Sequence, residues 1–461
     1  MSIIEKLKED LSPSKDYIFD TLIVDNKTIN YIYNDVLSSP KDITEYILYN
    51  LKKLKRRELN DIDKYLPSTN VLIINKDEII NYLNNGFIII VYKKIYAVEF
   101  RANLDRGINE VTSELSLSGP KDSFSEVFNT NLGLIRRRIK SDKLKCIDLT
   151  VGKYTKTKVG ILYIDGIVKE KLVNHIINKL NKVTIDGIID SSYLKYTLEN
   201  KFNLFPTIIQ TERPDKSSMA LLEGKIVIIV DGSSYALILP SFLLDFFHTT
   251  DDYYQKSFNT SFIRIIRVFA FLIAILTPAI YISVTTRNYD LIPLPLLLVL
   301  KAGRTFVPFP AYIEAMFMII CFEILKESDL RMSNTSGSAI SILGGLILGD
   351  AAVAAGIVSP IMIIVIAISS IAGLIFTSIE LSNAIRDYKI LLLILSTIFG
   401  IFGLIIGIII LIINLLTTET FGYNYISFDK NEIKDSIIKI DTDIKYRNSK
   451  LTNNIKRGRL K

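Results

Sequence analysis

Apolar and polar positions follow two regimes along this chain. Over roughly the first 260 residues they alternate at short range, whereas from Val268 to Leu416 apolar residues come in blocks that charge hardly interrupts. Val268 to Thr286 and Ile390 to Thr418 carry no charged side chain, and between Met332 and Ile379 the only one is Asp350. A helix rising 1.5 Å per residue needs about 20 apolar residues to cross the hydrocarbon of a bilayer. The pattern predicts five spans, near 268–286, 309–325, 339–355, 357–379 and 390–416. A shorter block, 291–300, holds Pro293 and Pro295 and suits a broken or re-entrant helix.

Ahead of these blocks, three- and four-residue spacing of Ile43, Ile47, Leu48, Leu51 and Leu54 predicts helix over residues 16–64. A strand at 71–75, a helix from Asp77 closed by Gly86, and a strand pair, 87–92 and 95–100, turning at Lys93-Lys94, make a small α/β unit. Residues 101–125 are polar and form a connector. A helix over 124–139, strands near 144–150, 159–164 and 187–189, and a helix over 169–180 make a second unit. Its clearest signal is the hairpin of 225–230 and 235–239, because Asp231-Gly232 tolerates the positive φ of a tight turn.

The predicted fold class is therefore a polytopic α-helical membrane protein with an N-terminal soluble α/β region of two subdomains. Its expected divisions are an N-terminal helical extension (1–65), a first α/β subdomain with connector (66–122), a second α/β subdomain (123–260), a transmembrane bundle of five to six spans (261–418) and a basic tail (419–461). The first 13 residues have no apolar signal core, so the head is expected to stay on the side where it is made. Arg264 and Arg267 before the first span, and the Lys- and Arg-rich tail, favour the cytoplasmic side for both, which requires an even number of crossings.

Composition adds exclusions. Hydrophobic residues make up 49% beside 22% charged, so the average mixes two populations. Cys146 and Cys321 lie far apart and His175 and His248 are isolated, so no disulfide framework, metal centre or histidine-based catalysis is expected. Gly152-Lys153 lacks the spacing of a phosphate loop. No cofactor and no catalytic residue is assigned. Part of the net charge of +7 sits in Arg136, Arg137, Arg138, Lys140, Lys143 and Lys145, whose spacing suits a solvated helix face, with anionic lipid a better partner than nucleic acid.

Polar groups within the apolar blocks are the candidate chemistry. A carboxylate at mid-membrane is costly, on the order of 3 kcal/mol, so Asp350 should face water or a partner. Glu314 and Glu323 lie on opposite faces of an ideal helix, with Lys301 and Arg304 near enough to neutralise Glu314. Asp350, Glu314 and Glu323 are the candidate ion path. Gly345 with Gly349, and Gly403 with Gly407, sit four apart and allow close helix contact within or between subunits.

An ordered series of motifs resembles one family. It runs through Gly119-Pro120, Phe124, Asn131, Arg136 to Arg138, Thr211-Glu212-Arg213-Pro214-Asp215, Leu222-Glu223-Gly224-Lys225 and Val230-Asp231-Gly232. It continues with Asp252-Tyr253-Tyr254, Ile292-Pro293, Val307-Pro308-Phe309-Pro310, Glu314, Glu323-Ile324-Leu325 and Ala355-Gly356-Ile357-Val358-Ser359-Pro360. Over roughly residues 70–425 the chain is similar to the A subunit of GerA-type spore germinant receptors. After Phe421-Gly422 it lacks the proline-containing segment usual in that family. The resemblance implies a subunit of the endospore inner membrane, acting with a transporter-like B subunit and a lipoprotein C subunit. It implies a homo-oligomer that releases monovalent cations through a ligand-gated channel. Glu212, Arg213, Asp215 and Glu223 would couple head to membrane, or form a salt-bridged turn beneath the hairpin. Alternatives are a family paralogue associated with the dipicolinate-release channel, and a secondary transporter, against which the lack of an inverted repeat counts.

Overall fold

The structure is a computed structural model describing residues 3–55, 71–102, 113–200, 203–331 and 349–426, with positions 58, 59, 62, 65, 66, 111, 345, 438, 439, 451 and 452. The first lobe comprises α1 (Ile3–Leu11), β1 (Tyr17–Val24), β2 (Lys27–Asn34), helical residues 40–52 (α2), β3 (Val71–Ile73), α3 (Ile79–Leu83), β4 (Phe87–Val91) and β5 (Ile95–Glu99). Asp25 and Asn26 join β1 to β2 at φ of 45° and 60°, which short polar side chains tolerate in a two-residue turn. Residues along β4 then alternate. Ile88 and Ile90 pack toward α2, and Ile89 toward α1 and α3.

This hairpin corrects the helix predicted over 16–64. Helical spacing holds only in α2, where Ile43, Ile47 and Leu51 are buried. The expected N-terminal extension is thus the first half of the first lobe.

The second lobe comprises α4 (Phe128–Arg138), β6 (Leu144–Val151), β7 (Thr157–Ile164), α5 (Glu170–Asn181), α6 (Ser191–Leu198), β8 (Ile209–Thr211), α7 (Pro214–Leu222), β9 (Ile226–Val230) and β10 (Ala236–Leu239). The strand expected at 187–189 is instead irregular backbone, held by Ile188 N–H donating to Thr155 Oγ1 at 3.1 Å and Thr157 Oγ1 donating to Ile188 O at 2.8 Å. Strand orders are β1-β2-β4-β5-β3 and β6-β7-β9-β10-β8, antiparallel throughout. The head is one topology used twice. Each sheet is covered on both faces, by α1 and α3 against α2 in the first lobe, and by α4 and α7 against α5 and α6 in the second.

Arg136 joins the lobes. Its guanidinium is 1% exposed and lies 2.5 and 2.9 Å from the two oxygens of Asp16, 3.2 Å from Tyr17 Oη and 3.0 Å from Leu144 O. Burial pushes the Tyr17 phenol up to about 12. Lys140 donates to Asn85 Oδ1 at 2.7 Å, and Lys145 to Asp10 O. The expected solvated basic face is therefore in part an interlobe joint, while Arg137 and Lys143 are exposed.

Beyond the head come α8 (Asp251–Tyr254), α9 (Ser257–Thr286), α10 (Leu294–Ala302), α11 (Ala311–Arg331), α12 (Pro360–Leu374), α13 (Ile379–Phe399) and α14 (Ile401–Thr417). Among the described residues, α9 is the one helix long and apolar enough to cross a membrane by length and composition. Pro278 within it has no N–H for Ala274 O, and Ser369 Oγ on α12 donates to that carbonyl at 2.7 Å. The helices α12 and α14 are apolar but span 15 and 17 residues.

The span predicted over 390–416 is broken. Gly400 takes φ of 62°, the chain reverses, and α14 runs back along α13. Gly403 and Gly407 then face Leu395 and Leu392 of α13, a contact within one subunit. The span predicted over 339–355 falls mostly outside the described residues. A Cβ at Gly345 would stand 3.9 Å from Leu325 Cδ1, and among the described residues nothing would lie within 4 Å of one at Gly349. After α14 the chain returns to the head, where Tyr425 is buried beside Phe205 and Leu451 joins the core of the second lobe.

Arg136→Met strands Asp16 as a buried charge and is expected to cost about 3–5 kcal/mol, most of it recovered by adding Asp16→Leu. Urea unfolding of wild type and both variants, followed by circular dichroism, checks this. A double variant no more stable than the single one would locate the effect elsewhere.

Candidate head-to-helix coupling site

Four of the residues singled out in the sequence lie around α7. Pro214 starts this helix at the position where a missing N–H costs nothing, so Arg213 and Asp215 are held at its first turn. Arg213 Nε and Nη2 pair with the two oxygens of Asp215 at 3.0 and 2.8 Å, and the same guanidinium donates to Glu114 O and Pro120 O at 3.1 and 2.9 Å. Glu212 Oε1 accepts from Ser113 N, Ser113 Oγ and Glu114 N at 2.5, 2.8 and 3.1 Å. Together they clamp the connector between the lobes onto the second lobe.

The clamp reaches α8 directly. Tyr254 Oη donates to Asp215 Oδ2 at 2.8 Å, and Tyr253 Oη to Glu223 Oε1 at 3.0 Å. Asp251 accepts from Ser116 Oγ and Ser118 N, both at 3.0 Å. Burial would raise the Asp215 carboxyl, but hydrogen bonds from Arg213 and Tyr254 bring it below the usual carboxylate range. Burial and then the Glu223 carboxylate drive the Tyr253 phenol well up. Burial works against the Lys225 ammonium, yet Asp245 at 2.7 Å and Glu223 hold it above its ordinary value.

From α8 the path enters α9. Asp252 Oδ2 accepts from Arg267 Nη1 at 2.7 Å and from Arg264 Nε at 3.2 Å, with all three groups buried. Arg267 also donates to Phe247 O and Thr249 Oγ1, each at 2.9 Å. Lys439 of the tail donates through Nζ to Asp252 O and Gln255 O at 2.6 and 2.8 Å. Beneath this polar layer lie Phe205, Phe247, Phe271, Phe376 and Tyr388, with Phe205 stacked on Tyr388 at 5.3 Å. A second link, from the buried Lys195 Nζ to Oε1 of the partly exposed Glu380 at 2.5 Å, ties α6 to the start of α13.

The structure therefore brings Glu212, Arg213, Asp215 and Glu223 onto one surface that meets α8. It does not gather the candidate ion-path carboxylates. Glu314 is buried, pairs with Arg304 at 2.9 Å and accepts from Ser359 N at 3.0 Å, which pins the start of α12. Glu323 lies 3.8 Å from Arg386, about 13 Å along α11 from Glu314. Asp350 is exposed. Sequence reasoning assigned Asp252, Arg264 and Arg267 no coupling role and missed Lys195 with Glu380. Arg264 and Arg267 were legible only as flanking charge, although Asp252-Tyr253-Tyr254 stood among the motifs. Among the described residues no group of three or more His, Cys, Asp or Glu could hold a metal.

Fold and site together define a twin-lobed α/β head wired by buried ion pairs to an apolar helical region. Residues 5–450 match the family described as Bacillus/Clostridium GerA spore germination protein, and the chain belongs to it. It is 33% identical over 454 residues to spore germination protein GerQA of Bacillus cereus, covering 96% of this chain and 91% of that protein. It is 31% identical to spore germination protein B1 of Bacillus subtilis, covering 95% and 94%. It is also 39% identical to spore germination protein KA of Bacillus subtilis over 73% of this chain, a match spanning 62% of that protein's length. A crystal structure of the N-terminal domain of the A subunit of the Bacillus megaterium spore germinant receptor GerK3 aligns with 52% of this chain and 94% of that one, at 26% identity and a TM-score of 0.40.

Asp252 has its carboxyl held low: burial alone would raise it, but the Arg267 hydrogen bond and the charges of Arg267 and Arg264 outweigh that. A lowered folded value stabilises at every pH above the unfolded value of about 3.9, and that contribution is lost as pH falls through the folded value. Asp252→Asn is therefore expected to lower the melting temperature at pH 7, with the gap from wild type closing on acidification below about pH 4. Thermal melts from pH 7 to pH 2 read the gap directly.

Proposed function

We propose that this chain is the A subunit of a nutrient germinant receptor, an oligomeric part of a ligand-gated cation-release channel in the inner membrane of the endospore. In this reading its head lies on the cytoplasmic side and it acts with a transporter-like B subunit and a lipoprotein C subunit. The observation that carries the reading is a two-part relay through α8: the connector, Arg213 and Asp215 hold its Tyr254, and its Asp252 holds Arg264 and Arg267 on α9. A displacement of the head cannot leave α9 in place without separating buried charges. Such a junction suits transmission of a distant binding event, provided ligand binding favours one of two arrangements over the other.

Several features support insertion in lipid. Outward-facing side chains of the helical region are apolar, among them Phe269, Ile371, Phe399 and Phe402 at 60, 62, 56 and 72% exposure. An aqueous surface would not favour so continuous an apolar face. The chain also leaves the head at α9 and returns to it after α14, consistent with an even number of crossings. Within the ion path, Asp350 is the carboxylate available to cations, while Glu314, neutralised by Arg304, shapes the helix packing around it.

Asp350→Asn is expected to lower nutrient-triggered potassium release from receptor-loaded liposomes several-fold while leaving assembly with the partner subunits intact. Unchanged release from a correctly assembled variant would remove Asp350 from the path, and a receptor impermeable to potassium with nutrient present would end the channel reading.

A further inference from the structure

The duplicated topology exposes a difference between the lobes. In the first lobe, the chain runs on from β5 for two residues and closes a gap beside the loop that follows β2. Ser38 bridges Arg101 in antiparallel fashion, Ser39 N–H donates to Phe100 O at 2.9 Å, and Gly86, at φ of 82°, leaves room for Arg101. In the second lobe the equivalent strand β10 cannot do this. Pro240 follows it with no N–H to offer, and the chain turns away, with Ser241 N–H donating to Thr207 O.

The corresponding gap is nevertheless filled. Val168 bridges Thr452 in antiparallel fashion, Lys169 N–H donates to Leu451 O at 3.0 Å, and Gly224, at φ of 89°, leaves room for the Thr452 methyl. Position by position, Leu451 and Thr452 stand where Phe100 and Arg101 stand in the first lobe. Leu451 is 0% exposed and belongs to the same apolar cluster as Val168, Leu172 and Ile226. What one lobe obtains from its own next residues, the other receives from a segment more than 200 positions downstream.

We propose that the gap between the loop after β7 and the turn at Gly224 is a peptide-binding slot, and that the chain's own tail is its resident ligand. Its preference is for an extended segment with an apolar side chain followed by a small β-branched one. Backbone bridging supplies affinity and the apolar pocket supplies selectivity, as in other strand-addition sites. The occupant has a second anchor at the junction, where Lys439 holds the carbonyls between α8 and α9 and its N–H donates to Ser261 Oγ at 3.0 Å. A filled slot thereby fastens the second lobe to the start of α9, and an emptied one releases that strap.

The test uses the full chain in detergent. With Val168→Cys and Thr452→Cys introduced and Cys321→Ser removing the other accessible thiol, mild oxidation is expected to give a reducible cross-link within single chains, mapped to positions 168 and 452. A cross-link joining two chains, or none in a folded protein, overturns the assignment. In parallel, a fluorescent peptide of residues 446–457 is expected to bind the Leu451→Asp chain at least about tenfold more tightly than wild type, whose own tail competes at high effective concentration. The same peptide carrying the Asp substitution should not bind. Equal affinity for both chains, or binding to neither, refutes the slot even if Leu451→Asp lowers stability.

Discussion

Two guanidinium groups buried at the start of one helix must share a counter-charge, and most of the architecture follows from where that charge is found. Asp252 supplies a counter-charge to both Arg264 and Arg267 in the packed junction, and it does so from α8, the short helix that the clamp on the second lobe holds. A buried pair gains little net stability over a well-packed apolar replacement, but removing one partner is severe, on the order of 3–5 kcal/mol. Such an arrangement therefore specifies position more than it adds strength. It sets where the head ends, where α9 begins and which face of α9 looks toward the lobes.

The same device recurs at the other joints. Arg136 meets Asp16 between the lobes, Lys195 meets Glu380 between the second lobe and α13, and Arg304 meets Glu314 where α10 hands over to α11. Each places one charge on either side of a boundary between units whose cores are otherwise apolar. The boundaries are selective in consequence, since a mismatched docking would leave charge buried and unpaired.

Local structure was legible where one signal dominated. Asp231-Gly232 announced the β9–β10 hairpin, and Lys93-Lys94 the β4–β5 turn. The β1–β2 hairpin was hidden because genuine helical spacing in α2 was extended upstream across Asp25-Asn26, a turn signal weaker than Asp-Gly. The reversal at Gly400 was hidden for the opposite reason: apolar residues continue unbroken on both sides, and hydropathy cannot distinguish one long helix from two folded back on each other. The candidate coupling site was partly legible, because Arg213, Asp215 and Glu223 sit in a charged, proline-marked cluster. Their partners were not, because Tyr253, Tyr254 and Glu114 lie far off in the chain and side-chain pairing over such distances leaves no local trace. The repeated strand order is likewise a long-range property.

Closure of the second lobe by Leu451 and Thr452 fixes an order of manufacture. The first lobe has all its parts once residue 101 has emerged from the ribosome and can fold while the remainder is still being made. Its twin must wait until α9 to α14 have been synthesised and Leu451 and Thr452 arrive. A chain cut short between the end of α14 and Leu451 would possess one finished lobe and one open one, so translation past Thr452 is itself read out in the completeness of the head.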